Sequence, residues 1–243
     1  GCGEFLASDM MKYVDNARVL GLGETMRFME CCEGEKRMAD KLELFAKKHI
    51  DGHAPGIRGK EVQAYRLAGV ENDHECSTAE EVLDKLRAGL HIYVREGSGA
   101  KNLETLIKTM LDAGVCLDRC AFCTDDKHVE EIRKEGHIST CIRKAIALGV
   151  PVAKAYKMGS YQAAEFYGLK NYGAIGAGYR ADIVFLDDLE QVRPLDVMKD
   201  GRILTEEDYA KDYSVPVPDE LLHTVHVGEV TKEKIRLSCD GKT

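Results

Sequence analysis

The chain has 243 residues, 44% apolar and 31% charged, with a formal net charge of −8. That balance describes an ordinary globular protein and excludes a disordered one, and its acidity argues against a nucleic-acid partner. No run of about 18 apolar residues is present, which excludes a membrane-spanning helix. Nine cysteines are scattered without a regular framework, the pattern of reduced thiols in a cytoplasmic protein.

In chain order, Arg18–Gly23 is a short, largely apolar strand followed by Glu24. Met38, Leu42, Phe45 and Ala46 recur at helical spacing between Lys36 and Lys48. His49–His53 is a brief strand broken by Ala54-Pro55-Gly56. A helix is predicted over Gly59–Ala68, and a strand-to-loop passage over Gly69–His74. Ser77 reads as the cap of the next helix with Glu80 at the capping-box position, and Val82, Leu83 and Leu86 form its apolar face. Leu90–Val94 is a strand ending at Arg95-Glu96-Gly97, followed by a helix carrying Leu103, Leu106, Ile107 and Met110. Ala121-Phe122-Cys123 is a strand ending at Thr124-Asp125-Asp126, followed by a helix through Ile138, Ile142, Ala145 and Ile146.

These βα repeats imply parallel strands with helical crossovers. Both a βα barrel and a doubly wound sheet place their sites at the carboxyl ends of such strands. No G-x-G-x-x-G follows the first strand, so a dinucleotide-binding sheet has little support. Beyond them, Val152–Leu169 reads as one helix, Ile183–Leu186 as a strand, and Val197–Leu204 as a hairpin around Asp200-Gly201. Alternation at Leu222, Thr224, His226, Ile235 and Leu237 suggests further β structure.

Glu24, His53, His74 and Asp125 fall at the same end of successive predicted strands. A lone histidine at a loop is more often a surface or capping residue than a ligand, Asp125 could simply cap the next helix, and Glu24 could be one end of a surface ion pair. Together they offer imidazole nitrogens and carboxylates, the donors of a divalent metal site that would acidify a bound water. Asp125 could then carry the proton from that water to a leaving amine. His128 and His137 follow the last strand closely enough to line a pocket or shuttle protons, and serve equally as surface residues. Cys120 and Cys123 form a lone C-x-x-C inside an apolar strand, which favours buried thiols over a zinc or redox site.

The segments VLGLGE (Val19–Glu24), IDGHAPG (Ile50–Gly56), DHE (Asp73–Glu75), REGSGAKN (Arg95–Asn102) and TDDKH (Thr124–His128) resemble the strand-end motifs of adenine deaminases, in the amidohydrolase superfamily. GAIGAGYRAD (Gly173–Asp182) resembles the segment by which many amidohydrolases return from barrel to β-sandwich. The resemblance implies an α/β fold: a partial (β/α)8 TIM-type barrel, about its last five βα units, followed by a small β-sandwich portion. Residues 1–170 would be the barrel and 171–243 the small β domain. The implied reaction is hydrolysis of adenine to hypoxanthine and ammonia at a dinuclear manganese, iron or zinc site. In that scheme Glu24 matches a bridging carboxylate, His53 and His74 ligands of the second metal, and Asp125 a ligand and proton shuttle. Glu75 becomes a candidate for protonating a ring nitrogen of the purine. Arg95, Ser98 and His128 lie where the substrate or its lid would be.

One departure stands out. Amidohydrolases carry an H-x-H pair on the first barrel strand, and none precedes Glu24; His223 and His226 form an H-x-x-H only in the tail. The resemblance therefore implies a chain lacking the N-terminal part of the barrel and a further C-terminal domain. An open parallel sheet would leave backbone groups unpaired at its edges. Homo-oligomerisation or association with the rest of the barrel is expected to close it. Two other readings remain open: an amidohydrolase acting on a cyclic amide or N-acyl sugar, and an inactive piece serving as a binding or assembly module.

Overall fold

A computed structural model describes residues 4–211, 214–222 and 227–237. They fall into two compact units, Gly1–Leu204 and Thr205–Thr243.

In the first unit, α1 (Ala7–Val14) leads to β1 (Gly21–Thr25), then α2 (Phe28–Glu33) and α3 (Lys36–Leu44). β2 (His49–Gly52), α4 (Gly59–Leu67), β3 (Asn72–Asp73), α5 (Ala79–Arg87), β4 (His91–Arg95), α6 (Leu103–Asp112) and β5 (Cys120–Cys123) continue the alternation. The strands run parallel in spatial order β1 to β5. β1 pairs with β2, and β3, β4 and β5 form one ladder. β2 and β3 are joined where Glu71 N donates to Ile50 O at 3.0 Å. This is a partial (β/α) barrel, as the sequence predicts. Its strands begin and end within a few residues of the expected limits.

The packing explains the order. Ile92, Val94, Cys120 and Phe122 pack outward with Leu106, Ile107 and Met110 of α6, whereas Tyr93 and Ala121 turn inward with Phe166. Period-two alternation thus separates an outer apolar layer from the barrel interior. It also sends Cys120 and Cys123 to opposite faces of β5, so the C-x-x-C thiols share no partner. Both are free, and burial pushes the Cys120 thiol up to about 12.

Two local expectations are corrected here. The cap of α5 is Thr78, not Ser77. Its hydroxyl accepts from Glu81 N, and the Glu81 carboxylate, buried beneath the turn, accepts in return from the backbone and hydroxyl groups of both Ser77 and Thr78. The helix expected over Val152–Leu169 breaks into α9 (Val152–Gly159) and α10 (Tyr161–Phe166), after α7 (Val129–Glu135) and α8 (Ile138–Ala147). Gly159 lies so close to α8 that a Cβ there would meet Ile142 at 2.7 Å, and the backbone turns at Ser160. α10 then covers the amino-terminal end of the barrel, where Phe166 meets His49 and His91.

β6 (Ile183–Leu186), β7 (Pro194–Lys199) and β8 (Arg202–Ile203) form an antiparallel sheet. Asp200 and Gly201 have φ of +50° and +80°, the left-handed pair that a two-residue hairpin requires.

The second unit holds α11 (Glu206–Tyr209) and α12 (Asp219–Leu222). The alternation expected beyond Leu222 does not become a strand among its described residues. Ile235 lies in a turn and Leu237 is 94% exposed, so no apolar face is buried to fix a register. His223, Thr224 and His226 lie outside the described residues. No helix among the described residues is long and apolar enough to cross a membrane.

Candidate active site

The carboxyl ends of β1 to β5 surround a cleft of about 260 Å³ whose lining includes Glu24, His74 and Asp125. Glu24 reaches it because β1 bulges: the register with β2 shifts between Leu22 and Thr25, and Glu24 takes φ +31°. A bulge of this kind re-aims one side chain without ending the strand. Asp125, just past β5, has φ +48°. Left-handed backbone at a non-glycine residue costs about 1–3 kcal/mol and concentrates at functional sites. Here it falls on two of the carboxylates that the sequence singles out.

His53 follows β2 and His74 follows β3. Their rings lie 5.3 Å apart, edge to face. His53 Nδ1 is 3.4 Å from Glu24 Oε2, and His74 Nε2 is 3.8 Å from Glu24 Oε1. Single donor atoms of Glu24, His53 and His74 all lie within 4.8 Å of one another, and so do those of His74, Glu75 and Asp125. These residues fit a divalent cation. One carboxylate and two imidazoles are a borderline-metal donor set, and His53 Nδ1 is buried without a hydrogen-bond partner, its approach to Glu24 lacking the geometry of one.

Arg95, at the end of β4, is buried and spans two carboxylates. Its Nη1 donates to Glu75 and, at 2.9 Å, to Asp125 Oδ2, while Nη2 reaches Glu75 Oε2 at 3.3 Å. Burial opposes its charge, but the bonds to Glu75 and Asp125 outweigh that and raise its pKa. Glu75 Oε1 also lies 3.7 Å from His53 Nδ1 and 3.6 Å from His74 Nε2. One carboxylate therefore faces both imidazoles and the guanidinium.

Ser98 and His128 stand outside the cleft lining and tie two rim loops together. Ser98 Oγ donates to Glu131 Oε2 and accepts from His128 N, each at 2.8 Å. Asp126 accepts from Ser98 N and Gly99 N, and the Gly99 bond leads the effects that hold its carboxyl below the usual range. His137 is bonded through Nε2 to Thr124 Oγ1 at 2.7 Å.

Sequence reasoning missed the cleft floor. Asp51 accepts from Tyr167 Oη at 3.0 Å and from the Asn72 amide, and Tyr93 lines the same floor. Asp51 lies inside IDGHAPG, so its inward strand position was the available signal. Tyr167 arrives from the far end of the barrel and left none. Also missed was the support behind the histidines. Lys85 and Asp73 are both wholly buried, with Lys85 Nζ 2.8 Å from Asp73 Oδ2 and 2.6 Å from Ala54 O.

Residues 31–204 match the amidohydrolase family. An adenine deaminase of Desulfitobacterium hafniense (strain Y51) is 41% identical over 236 residues, which is 97% of this chain and 41% of that protein. An adenine deaminase of Clostridium acetobutylicum is 41% identical over 238 residues, 96% of this chain and 41% of that protein. The chain thus spans about two fifths of the length of these relatives. Among solved structures, a beta-aspartyl dipeptidase from Fervidobacterium islandicum AW-1 shares the fold, with a TM-score of 0.62 at 17% identity over 85% of this chain and 63% of that one.

Proposed function

The chain belongs to the amidohydrolase family, and from that premise we propose that its cleft hydrolyses adenine to hypoxanthine and ammonia. The observation that carries this reading is the convergence of the Glu24, His53 and His74 donors beside Asp125, in a chain 41% identical to adenine deaminases. Glu24, His53, His74 and Asp125 would hold divalent metal. Their nitrogen and oxygen donors suit manganese or iron, and zinc as well. The metal, when bound, supplies a water acidic enough to attack at neutral pH.

The other steps belong to the protein. Asp125 takes the proton released as water attacks C6 of the purine and returns it to the departing amino group. Glu75, a carboxylate beside Arg95, relays the second proton of that water to a ring nitrogen, so that charge does not build on the ring and the C6 oxygen is left as a carbonyl. Arg95 orients both carboxylates and, with them, the substrate edge. Ser98 and His128 serve the substrate indirectly, by holding the rim loops through the clasp that joins them. Free thiols at positions such as Cys31, Cys76 and Cys141 suit a reducing cytoplasm.

The test is product analysis. Metal-loaded protein incubated with adenine should yield hypoxanthine and ammonia in equal amounts, and Asp125→Asn should abolish both. Turnover of a cyclic amide with adenine untouched would reject the assignment.

A further inference from the structure

The peptide that carries His53 is held from three directions. Gly52 N donates to Asn72 Oδ1 at 2.9 Å, His53 N to Tyr65 Oη at 3.0 Å, and Ala54 N to Asp73 Oδ1 at 2.8 Å. β2 has ended here, so side chains satisfy donors that the strand ladder no longer reaches.

The Tyr65 bond has a second half. The same hydroxyl donates to Thr25 O at 2.8 Å, on the residue that follows Glu24. Tyr65, on α4, is wholly buried and does not line the cleft. Its ring packs so near the backbone that a Cβ on Gly52 would come within 3.1 Å of Tyr65 Cε1. One phenol therefore links the peptide of His53 to the peptide beyond Glu24. Those two residues contribute two of the three donors in the Glu24, His53 and His74 group. Glu24 needs such a restraint, because its φ of +31° persists only where neighbouring structure holds it.

We propose that Tyr65 is a positioning residue whose hydroxyl sets the separation of Glu24 and His53 and thereby the metal affinity of the cleft. The inference rests on reading that cleft as a metal site. Metal–ligand distances are fixed to about 0.2 Å, so a small drift of one peptide against the other is felt at the ion. Partners lying outside the ligand set are worth about 10–100-fold in metal affinity.

The experiment titrates cobalt(II) into the metal-free protein and reads both the dissociation constant and the visible absorption bands. Four proteins are compared: wild type, Tyr65→Phe, His53→Ala and Tyr156→Phe. Tyr65→Phe keeps the ring's packing and removes only the hydroxyl. Tyr156→Phe controls for loss of a tyrosine-to-carbonyl bond elsewhere, since Tyr156 Oη donates to Leu189 O at 2.8 Å. The expected result is a dissociation constant about 10-fold higher in Tyr65→Phe, with shifted bands, and wild-type behaviour in Tyr156→Phe. A wild-type constant and spectrum in Tyr65→Phe, with His53→Ala still losing cobalt, overturns the positioning role alone. Cobalt bound by His53→Ala with the wild-type constant and spectrum removes His53 from the ligand set, and with it the ground on which the Tyr65 role stands.

Discussion

His53 and His74 meet edge to face, ring centroids 5.3 Å apart, with Glu24 within 3.8 Å of a nitrogen on each. Imidazoles at that spacing beside one carboxylate converge on a single small volume. His53→Ala removes one of the three convergent donors and is expected to strip most of the metal held there. Elemental analysis after dialysis checks this, and an undiminished metal content would remove His53 from the ligand set.

Arg95 bridges Glu75 and Asp125 through one guanidinium nitrogen. Lysine keeps the charge but offers a point where the guanidinium offers a fork. Arg95→Lys is expected to lose about 2 kcal/mol of stability, the scale of one hydrogen bond to a charged group. Urea unfolding measures it, and a midpoint equal to wild type would mean that the bridge contributes nothing.

Lys85 and Asp73 form an ion pair with neither side chain exposed. Removing one partner strands a buried charge, so Lys85→Met should destabilise by about 3–5 kcal/mol. Adding Asp73→Asn removes the stranded charge and keeps an acceptor for Ala54 N. The double variant should therefore be more stable than Lys85→Met alone, and a double variant that is less stable would contradict the pairing.

Much of this site was legible in the sequence. Glu24, His53, His74 and Asp125 each fall at the same end of a successive predicted strand, and parallel strands bring such ends to one rim. The bracing was not. Lys85 sits in a charged stretch, Glu80 to Arg87, that reads as a solvent face, and it is the pairing with Asp73 and the bond to Ala54 O that make burial of its ammonium tolerable. Ser77 and Thr78 precede adjacent glutamates at the same spacing, so two capping boxes compete, and the backbone that buries Glu81 decides between them. Likewise the break at Ser160 depends on Gly159 meeting Ile142, a contact that helical periodicity does not encode.

At the opposite end of the barrel, burial, with Arg119 and Arg66 nearby, lowers the His91 pKa from 6.5 to about 4. Above pH 6.5 the ring is neutral both folded and unfolded and contributes no pH dependence. Between there and about pH 4 the unfolded chain binds a proton that the folded protein refuses, so stability falls as pH falls. His91→Phe keeps a ring against Phe166 and should lose less stability than wild type between pH 7 and about 4.5. Equal losses in urea unfolding would show that His91 does not titrate differently in the two states.

The most direct test of the hydrolytic account is isotopic. Metal-loaded protein should convert adenine in ¹⁸O-labelled water to hypoxanthine carrying a single ¹⁸O at C6, with one ammonia released per labelled product. Absence of hypoxanthine from protein that retains its metal, or hypoxanthine without the label, would contradict it.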